Sequence, residues 1–213
     1  MGQIFKGILG GFSGKVGTVV GANWRGMDII RSMPKKSDRT PTQSQLEQRM
    51  KFALVTPFLA QVRPIIAAFF GQRQAEKSRR NLATSYHLQE AISGVYPDFA
   101  IDYVKVILTK GELLNAENPL ATPQAGAQIE FTWDDNSGQG MATATDGLLL
   151  AVYNETRNLW AMQEDAALRS VGTYTQSLPA AWTGETVHVY FTFVSSDARK
   201  CANSVYLGAL LLL

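Results

Sequence analysis

Residues 186–194 read TVHVYFTFV, with Val or Phe at every second position. An alternation of this kind predicts a β-strand. Six other segments of the second half are short and rich in strand-forming residues, and we predict strands there as well: 103–108, 127–133, 148–153, 159–163, 168–177 and 203–210. Polar turn segments at 134–138, 154–158 and 195–199 separate several of these strands. The second half of the chain is therefore predicted to be a β-domain.

The predicted strands resemble those of an immunoglobulin-like or fibronectin type III β-sandwich. Seven short strands within residues 101–213, with Trp133 early and Tyr190 late in the core pattern, are typical of that architecture. Cys201 is the single cysteine, so the chain lacks the cysteine pair of a true immunoglobulin domain. We expect residues 99–213 to form an acidic sandwich of this kind with an apolar C-terminal tail.

The first half predicts a glycine-rich β-hairpin followed by helices. Eight of the 18 glycines fall within residues 1–26, where they indicate bends and close backbone contacts. Two strand-forming runs, 16–24 and 27–32, flank the turn dipeptide Arg25-Gly26. Apolar residues at helical spacing follow over 46–70, interrupted by two prolines, and a further helix is predicted over 74–92. The chain is therefore expected to be an α+β protein whose basic module spans residues 1–98.

The charges of the two halves are opposite. Residues 1–100 hold 14 Lys and Arg against 6 Asp and Glu, whereas residues 101–213 hold 6 against 12. Such asymmetry indicates either a polyanionic partner such as DNA or copies of the chain that meet basic end to acidic end, and we favour the second. The basic residues that could make either contact are Arg25, Arg31, Lys35, Lys36, Arg39, Arg79 and Arg80.

Catalytic, cofactor and metal motifs are not found in the sequence. Gly14-Lys15 lacks the remaining residues of a phosphate-binding loop, because Leu9 and Val16 stand where glycine and a hydroxyl residue are needed. The two histidines, His87 and His188, lie far apart in the chain, and no GxSxG elbow occurs. We predict no catalytic residue, no cofactor and no metal site, and neither a secretory signal nor a membrane span.

Two apolar segments are candidate interfaces. The first is the glycine-rich arm, in which we single out Phe12, Val16, Val19, Val20 and Trp24. The second is the C-terminal run Leu210, Leu211, Leu212 and Leu213. A strand with one solvated face would alternate, so this leucine run must be covered on both faces, either within the chain or by a partner subunit.

Several strings carry a resemblance over nearly the whole chain: GILGGFSGKVGTVVGANWRGMDIIRSMP, TPTQSQLEQRMKFALV, the stretch from NLATSYHLQ to KGEL, FTWDDNSG and TVHVYFTFVSSDARKCANSVYLG. They resemble an uncharacterised family of proteins of about this length from Bacteroidota and their phages. The resemblance implies no catalytic residues. It implies a structural component of a tailed virion, in the neck, the tail or on the capsid.

The resemblance and the residues together predict a non-enzymatic virion protein, assembled in the host cytoplasm. Its expected partners are copies of itself in a ring or tube and other virion proteins, with DNA as a further candidate partner and no membrane. The first alternative is a cytoplasmic nucleic-acid-binding protein that uses the basic half. A weaker alternative is a carbohydrate-binding or adhesive module with Trp160 and Trp182 as exposed stacking residues, although core positions are expected for both.

Overall fold

The computed structural model describes residues 3–4, 10–24, 26–35, 39–72 and 77–213, and only the backbone of residues 3–4. The chain forms two compact units, Met1–Thr42, here the arm unit, and Gln43–Leu213, here the main unit. The change of charge near residue 98, which suggested a module boundary, does not coincide with this division. The helices and the later strands belong to one compact unit.

The arm unit contains one antiparallel sheet, in the order β1 (Gln3–Ile4), β2 (Phe12–Val16), β3 (Val19–Trp24) and β4 (Met27–Ser32). The predicted hairpin across residues 25–26 is confirmed, since Trp24 lies opposite Met27. The predicted strand over 16–24 was wrong at its start, because a turn at residues 17–18 separates β2 from β3. Gly17 allows this turn through a φ of 59°, which glycine adopts without steric strain.

The described residues of the main unit form three helices, α1 (Gln43–Gln61), α2 (Arg63–Phe69) and α3 (Arg79–Glu90). The predicted break in the first helical segment is confirmed. Pro57 lies inside α1, but Pro64 lies in the first turn of α2, where its missing N–H leaves no helical hydrogen bond unmade. Ser78 caps α3 by accepting a hydrogen bond of 3.2 Å from the Asn81 N–H. The predicted start of this helix at Gln74 lies outside the described residues.

Helices α1 and α2 meet at a bend of 85°. Taken as a pair they have the length and hydropathy of a membrane span, but no single helix among the described residues has both.

The strands of the main unit form a hairpin and two larger antiparallel sheets. The hairpin pairs β5 (Ile92–Val95) with β6 (Asp98–Ile101). The larger sheets have the strand orders β10-β9-β12-β13 and β11-β8-β7. Their strands are β7 (Glu117–Gln124), β8 (Gln128–Asp134), β9 (Gly147–Asn154), β10 (Leu159–Gln163), β11 (Thr173–Ser177), β12 (Thr186–Val194) and β13 (Val205–Leu211).

Three expectations about the strands of this half were wrong. The strand predicted over 168–177 begins only at Thr173, because Arg169–Val171 is a 3₁₀ turn. Residues 103–108 do not form a strand, because Tyr103–Lys105 is a short 3₁₀ turn. The sequence analysis also missed β7, which contains Pro119 and Pro123. Proline is tolerated there because β7 is an edge strand, where a missing N–H need not interrupt the sheet.

The main unit has three layers with a core on each side of the four-stranded sheet. Leu148, Leu150 and Val152 of β9 pack between the two sheets, together with Phe131 of β8 and other residues. Leu149, Ala151 and Tyr153 of the same strand pack against the helices. Because both faces of β9 are covered, all eight of its residues are buried. The chain is thus an α+β protein, as expected.

Candidate interaction surface

The sheet of the arm unit presents apolar side chains on both faces. Residues paired across an antiparallel sheet share a face, and neighbours along a strand alternate. The strand register therefore divides the large apolar side chains into two sets. The first face carries Val20, Trp24, Met27 and Ile29, bordered by Lys15 and Arg31. The second face carries Phe12, Val16, Val19 and Ile30.

Most of these side chains are exposed. Val16 is 51% exposed and Ile30 is 65% exposed, and Trp24, Met27 and Ile29 are exposed as well. Gly21 is the one buried residue among those that the structure describes in the arm unit. Neither of the two hydrophobic cores contains a described residue from this unit. Among the residues that the structure describes, the sheet therefore has regular strands but no buried core.

The local sequence explains why the arm forms a sheet. A Cβ at Gly21 would lie 2.1 Å from the carbonyl oxygen of Phe12, so only glycine allows β2 and β3 to approach there. The Asn23 side chain closes the next turn, because its Oδ1 accepts from the Gly26 N–H at 3.1 Å and its Nδ2 donates to Asp28 at 2.8 Å. Backbone constraints, not side-chain burial, thus define this element.

The five arm residues singled out from the sequence divide between the faces: Phe12, Val16 and Val19 lie on one, Val20 and Trp24 on the other. The sequence analysis missed three members of the surface, Met27, Ile29 and Ile30. The signal was available, because consecutive isoleucines in a strand place one apolar residue on each face.

The predicted basic residues do not form one patch within a single compact unit. Arg31, Lys35 and Arg39 are exposed in the arm unit, and Arg80 is exposed on α3 of the main unit. Arg79 has a structural role, since its guanidinium donates to the carbonyl of Gly71 at 2.9 Å and to those of Ala67 and Ala68 at the end of α2. Arg25 and Lys36 lie outside the described residues.

The C-terminal leucines are attached to the main unit of their own chain. Leu210 and Leu211 belong to β13, and Leu212 is buried between the two sheets. Three backbone hydrogen bonds fix this segment. The Gly184 N–H donates to the Leu212 carbonyl, the Leu212 N–H donates to the Glu185 carbonyl, and the Ala127 N–H donates to the Leu213 carbonyl. Leu211 and Leu213 are exposed, 56% and 55% respectively. The run therefore alternates after all, with two of its four side chains left on the surface.

In one cluster of the main unit, a tyrosine hydroxyl, an imidazole and a carboxylate lie next to one another in that order. His188 Nδ1 lies 2.9 Å from the Tyr206 hydroxyl, and Nε2 lies 3.5 Å from Glu155 Oε2. Tyr103 stacks on the imidazole at 3.7 Å. Burial lowers the pKa of His188, while Glu155 opposes this effect. Burial also raises the pKa of the Tyr206 hydroxyl, which favours its protonated form.

A buried arginine that the sequence did not predict joins four segments of the main unit. Arg169 is fully buried, and its guanidinium donates to Asp146 at 3.0 Å, to Asn136 at 2.7 Å and to the Leu114 carbonyl at 2.9 Å. Phe193 lies under the guanidinium, 4.2 Å from ring centroid to Cζ. No sequence pattern separates this arginine from a solvated one, because its partners come from distant segments.

The two tryptophans considered as stacking residues are packed. Trp182 is buried between the sheets, so the alternative in which it is an exposed stacking residue was wrong. Trp160 is half-buried, and its Nε1 donates to the Phe58 carbonyl at 3.2 Å. Within the described part of the chain, no three His, Cys, Asp or Glu side chains are grouped so as to hold a metal ion.

A comparison with models of protein families finds a match over most of the chain. A family model described as a family of unknown function (DUF6266) matches residues 11–208. No curated protein matches the chain.

Proposed function

We propose a function for this chain, which belongs to the family of unknown function DUF6266: it is a non-enzymatic structural component of a tailed-phage virion. In this proposal the protein assembles with copies of itself into a ring or tube, and the arm sheet is the element that binds the neighbouring copy. Its place is the neck, the tail or the capsid surface. The phage assignment rests on the sequence resemblance, and the mode of assembly rests on the arm.

The observation that carries the proposal is a regular sheet whose described side chains form no core. Small sheets need an apolar face packed against something else to be stable in water. Fully burying one Val, Ile or Met side chain contributes about 1.5–3 kcal/mol. The arm offers several such side chains on two faces, so covering either face would stabilise it substantially. Exposed apolar surfaces of this kind mark interaction sites.

The charge distribution favours a second copy as the partner. Residues 1–42 hold seven Lys and Arg against two Asp and Glu, a net charge of +5, whereas residues 43–213 hold 13 against 16, a net charge of −3. An arm that binds the main unit of the next copy brings opposite net charges together. Such a head-to-tail contact closes into a ring or continues as a helical tube.

We also propose that the strands from β7 to β13 form an immunoglobulin-like sandwich. Named in chain order A, B, C, C′, E, F and G, they form the sheets A-B-E and C′-C-F-G. In an immunoglobulin constant domain, strands A, B and E likewise lie in one sheet and C, F and G in the other. A rigid sandwich of this type provides contact area rather than a cleft, which suits a protein of an assembly.

Light scattering on the purified chain tests the proposal. We expect a mass above that of the monomer that rises with concentration. The double variant Met27→Ser with Ile29→Ser removes two apolar side chains from the first face of the arm and should shift the protein toward monomer. A matched control, Val95→Ser with Val171→Ser, removes two exposed valines from the main unit. A wild-type chain that stays monomeric at high concentration, or a double arm variant that assembles like the control, contradicts the proposal.

A further inference from the structure

We propose that a cationic cleft in the main unit, separate from the arm, binds phosphate groups. The cleft has a volume of about 530 Å³ and lies where the end of α2, the segment after residue 109 and the β12–β13 loop meet. Its charged lining consists of Arg79, Lys110, Arg199, Lys200 and Glu112.

The cations of this cleft are exceptional within an acidic part of the chain. Residues 101–213 hold six Lys and Arg side chains. Four of them are paired with a carboxylate in that part: Lys105 with Asp102 at 3.4 Å, Arg157 with Glu185 at 2.8 Å, Arg169 with Asp146 at 3.0 Å and Arg199 with Asp197 at 3.8 Å. Lys110, Lys200 and Arg199, whose pair is the longest of the four, all line the cleft.

These three side chains have little of their charge neutralised. Arg199 lies 3.8 Å from Asp197, but both side chains are mostly exposed, so the pair is weak. Lys200 Nζ contacts the Met141 sulfur at 2.9 Å, and Lys110 has no carboxylate within 4.0 Å in the part of the chain that is described. Like charges gathered around one concave surface repel each other unless an anion binds between them.

The backbone that carries the cations is fixed before any ligand binds. The Lys110 N–H donates to the Phe69 carbonyl at 3.0 Å, and the Gly71 N–H donates to the Lys110 carbonyl at 2.7 Å. On the other wall, the Leu113 N–H donates to the Cys201 carbonyl at 3.0 Å. Preorganisation of this kind reduces the entropy lost on binding.

The charge and the size of the cleft favour phosphate over a single carboxylate. Among the described lining residues, four cations face one acid, and Asp197 beside Arg199 lowers the excess to about two positive charges. A phosphomonoester carries about 1.5–2 negative charges at neutral pH, and a chain of phosphates carries more. The volume falls within the range of about 300–1,000 Å³ typical of small-molecule sites. Phosphate ligands with about two or more negative charges include nucleoside polyphosphates and the backbone of a nucleic acid.

The cysteine in the cleft does not suggest covalent chemistry. The Cys201 Sγ donates to the Phe69 carbonyl at 3.1 Å, and burial raises the pKa of the thiol to about 11. The thiol therefore stays protonated at neutral pH and forms part of the wall. The inference concerns binding alone.

Titration calorimetry of the full chain at low salt, with ATP as one probe and short single-stranded DNA as the other, tests the inference. We expect binding of at least one probe. Lys110→Ala with Lys200→Ala should weaken that binding by about tenfold or more per lost contact, because charged hydrogen bonds contribute about 1.5–3 kcal/mol each. Lys105→Ala with Arg157→Ala is the control, since it removes two cations that lie outside the cleft.

The pattern of results identifies the source of the phosphate. ATP binding that pyrophosphate displaces indicates a polyphosphate ligand, whereas binding of DNA alone, with a steep salt dependence that the double variant reduces, indicates a nucleic-acid backbone. The more conservative pair Lys110→Gln with Lys200→Gln serves if the alanine variant is poorly folded by circular dichroism. The inference is overturned if neither probe binds at low salt, or if the cleft variant and the control bind equally.

Discussion

Replacing Arg169 with methionine should be among the most destabilising single changes in the main unit. The substitution keeps an unbranched apolar side chain over Phe193 but removes the guanidinium hydrogen bonds to Asp146, Asn136 and the Leu114 carbonyl. The Asp146 carboxylate remains buried, with only the N–H and hydroxyl of Thr143 as partners. Removing one partner of a buried ion pair costs about 3–5 kcal/mol.

Urea denaturation followed by tryptophan fluorescence measures this loss. Arg157→Met is the matched control, because its ion pair with Glu185 is partly exposed to solvent and should contribute much less to stability than the buried pair. Adding Asp146→Asn to Arg169→Met removes the uncompensated charge, so the double variant should lose less free energy of unfolding than the two single changes combined. A loss for Arg169→Met no greater than that of the control would refute this account of the network.

Three further predictions concern single groups. Burial lowers the pKa of both His87 and His188, so the unfolded chain binds more protons. The free energy of unfolding should therefore be constant above the unfolded-state pKa of about 6.5 and should fall as the pH drops below that value. A urea midpoint that is the same above and below this pH would contradict the prediction. Leu212→Ala should lower the free energy of unfolding by about 2–5 kcal/mol, whereas the change at the exposed residue, Leu211→Ala, should lower it by about 0.5 kcal/mol or less. Equal melting temperatures of the two variants would show that the C-terminal segment is frayed. Cys201 should react with a thiol reagent slowly at neutral pH and rapidly in urea, and fast labelling of the native protein would contradict its burial.

Local sequence patterns predicted the elements that local physics determines. The alternation in 186–194 and the turn at residues 25–26 predicted β12 and the β3–β4 hairpin, because side-chain period and turn residues act within one element. The two prolines predicted an interrupted helix for the same reason, although only Pro64 lies at the break between α1 and α2. The run of leucines, alanine and valine in β9 fits a strand covered on both faces, but the helices that cover one of them are not evident from that run.

Elements that depend on distant partners were not predictable. β7 contains two prolines and becomes a strand only because β8 pairs with it on one side. Arg169 has no pattern of its own, since its partners lie 23 to 55 residues away. In the arm, the sequence identified apolar residues but not their division between two faces, which follows from the register of three strands.

Hydrogen exchange of the arm as a function of protein concentration tests most directly whether a neighbouring copy covers it. Amides of β4 lie at a sheet edge, where exchange is fast unless the edge and the face beside it are covered. We predict that residues 27–32 become protected as concentration rises and lose that protection on dilution, while the buried β12 remains protected throughout. Exchange of β4 that is equally fast at every concentration, in protein shown to be folded, would contradict assembly through the arm.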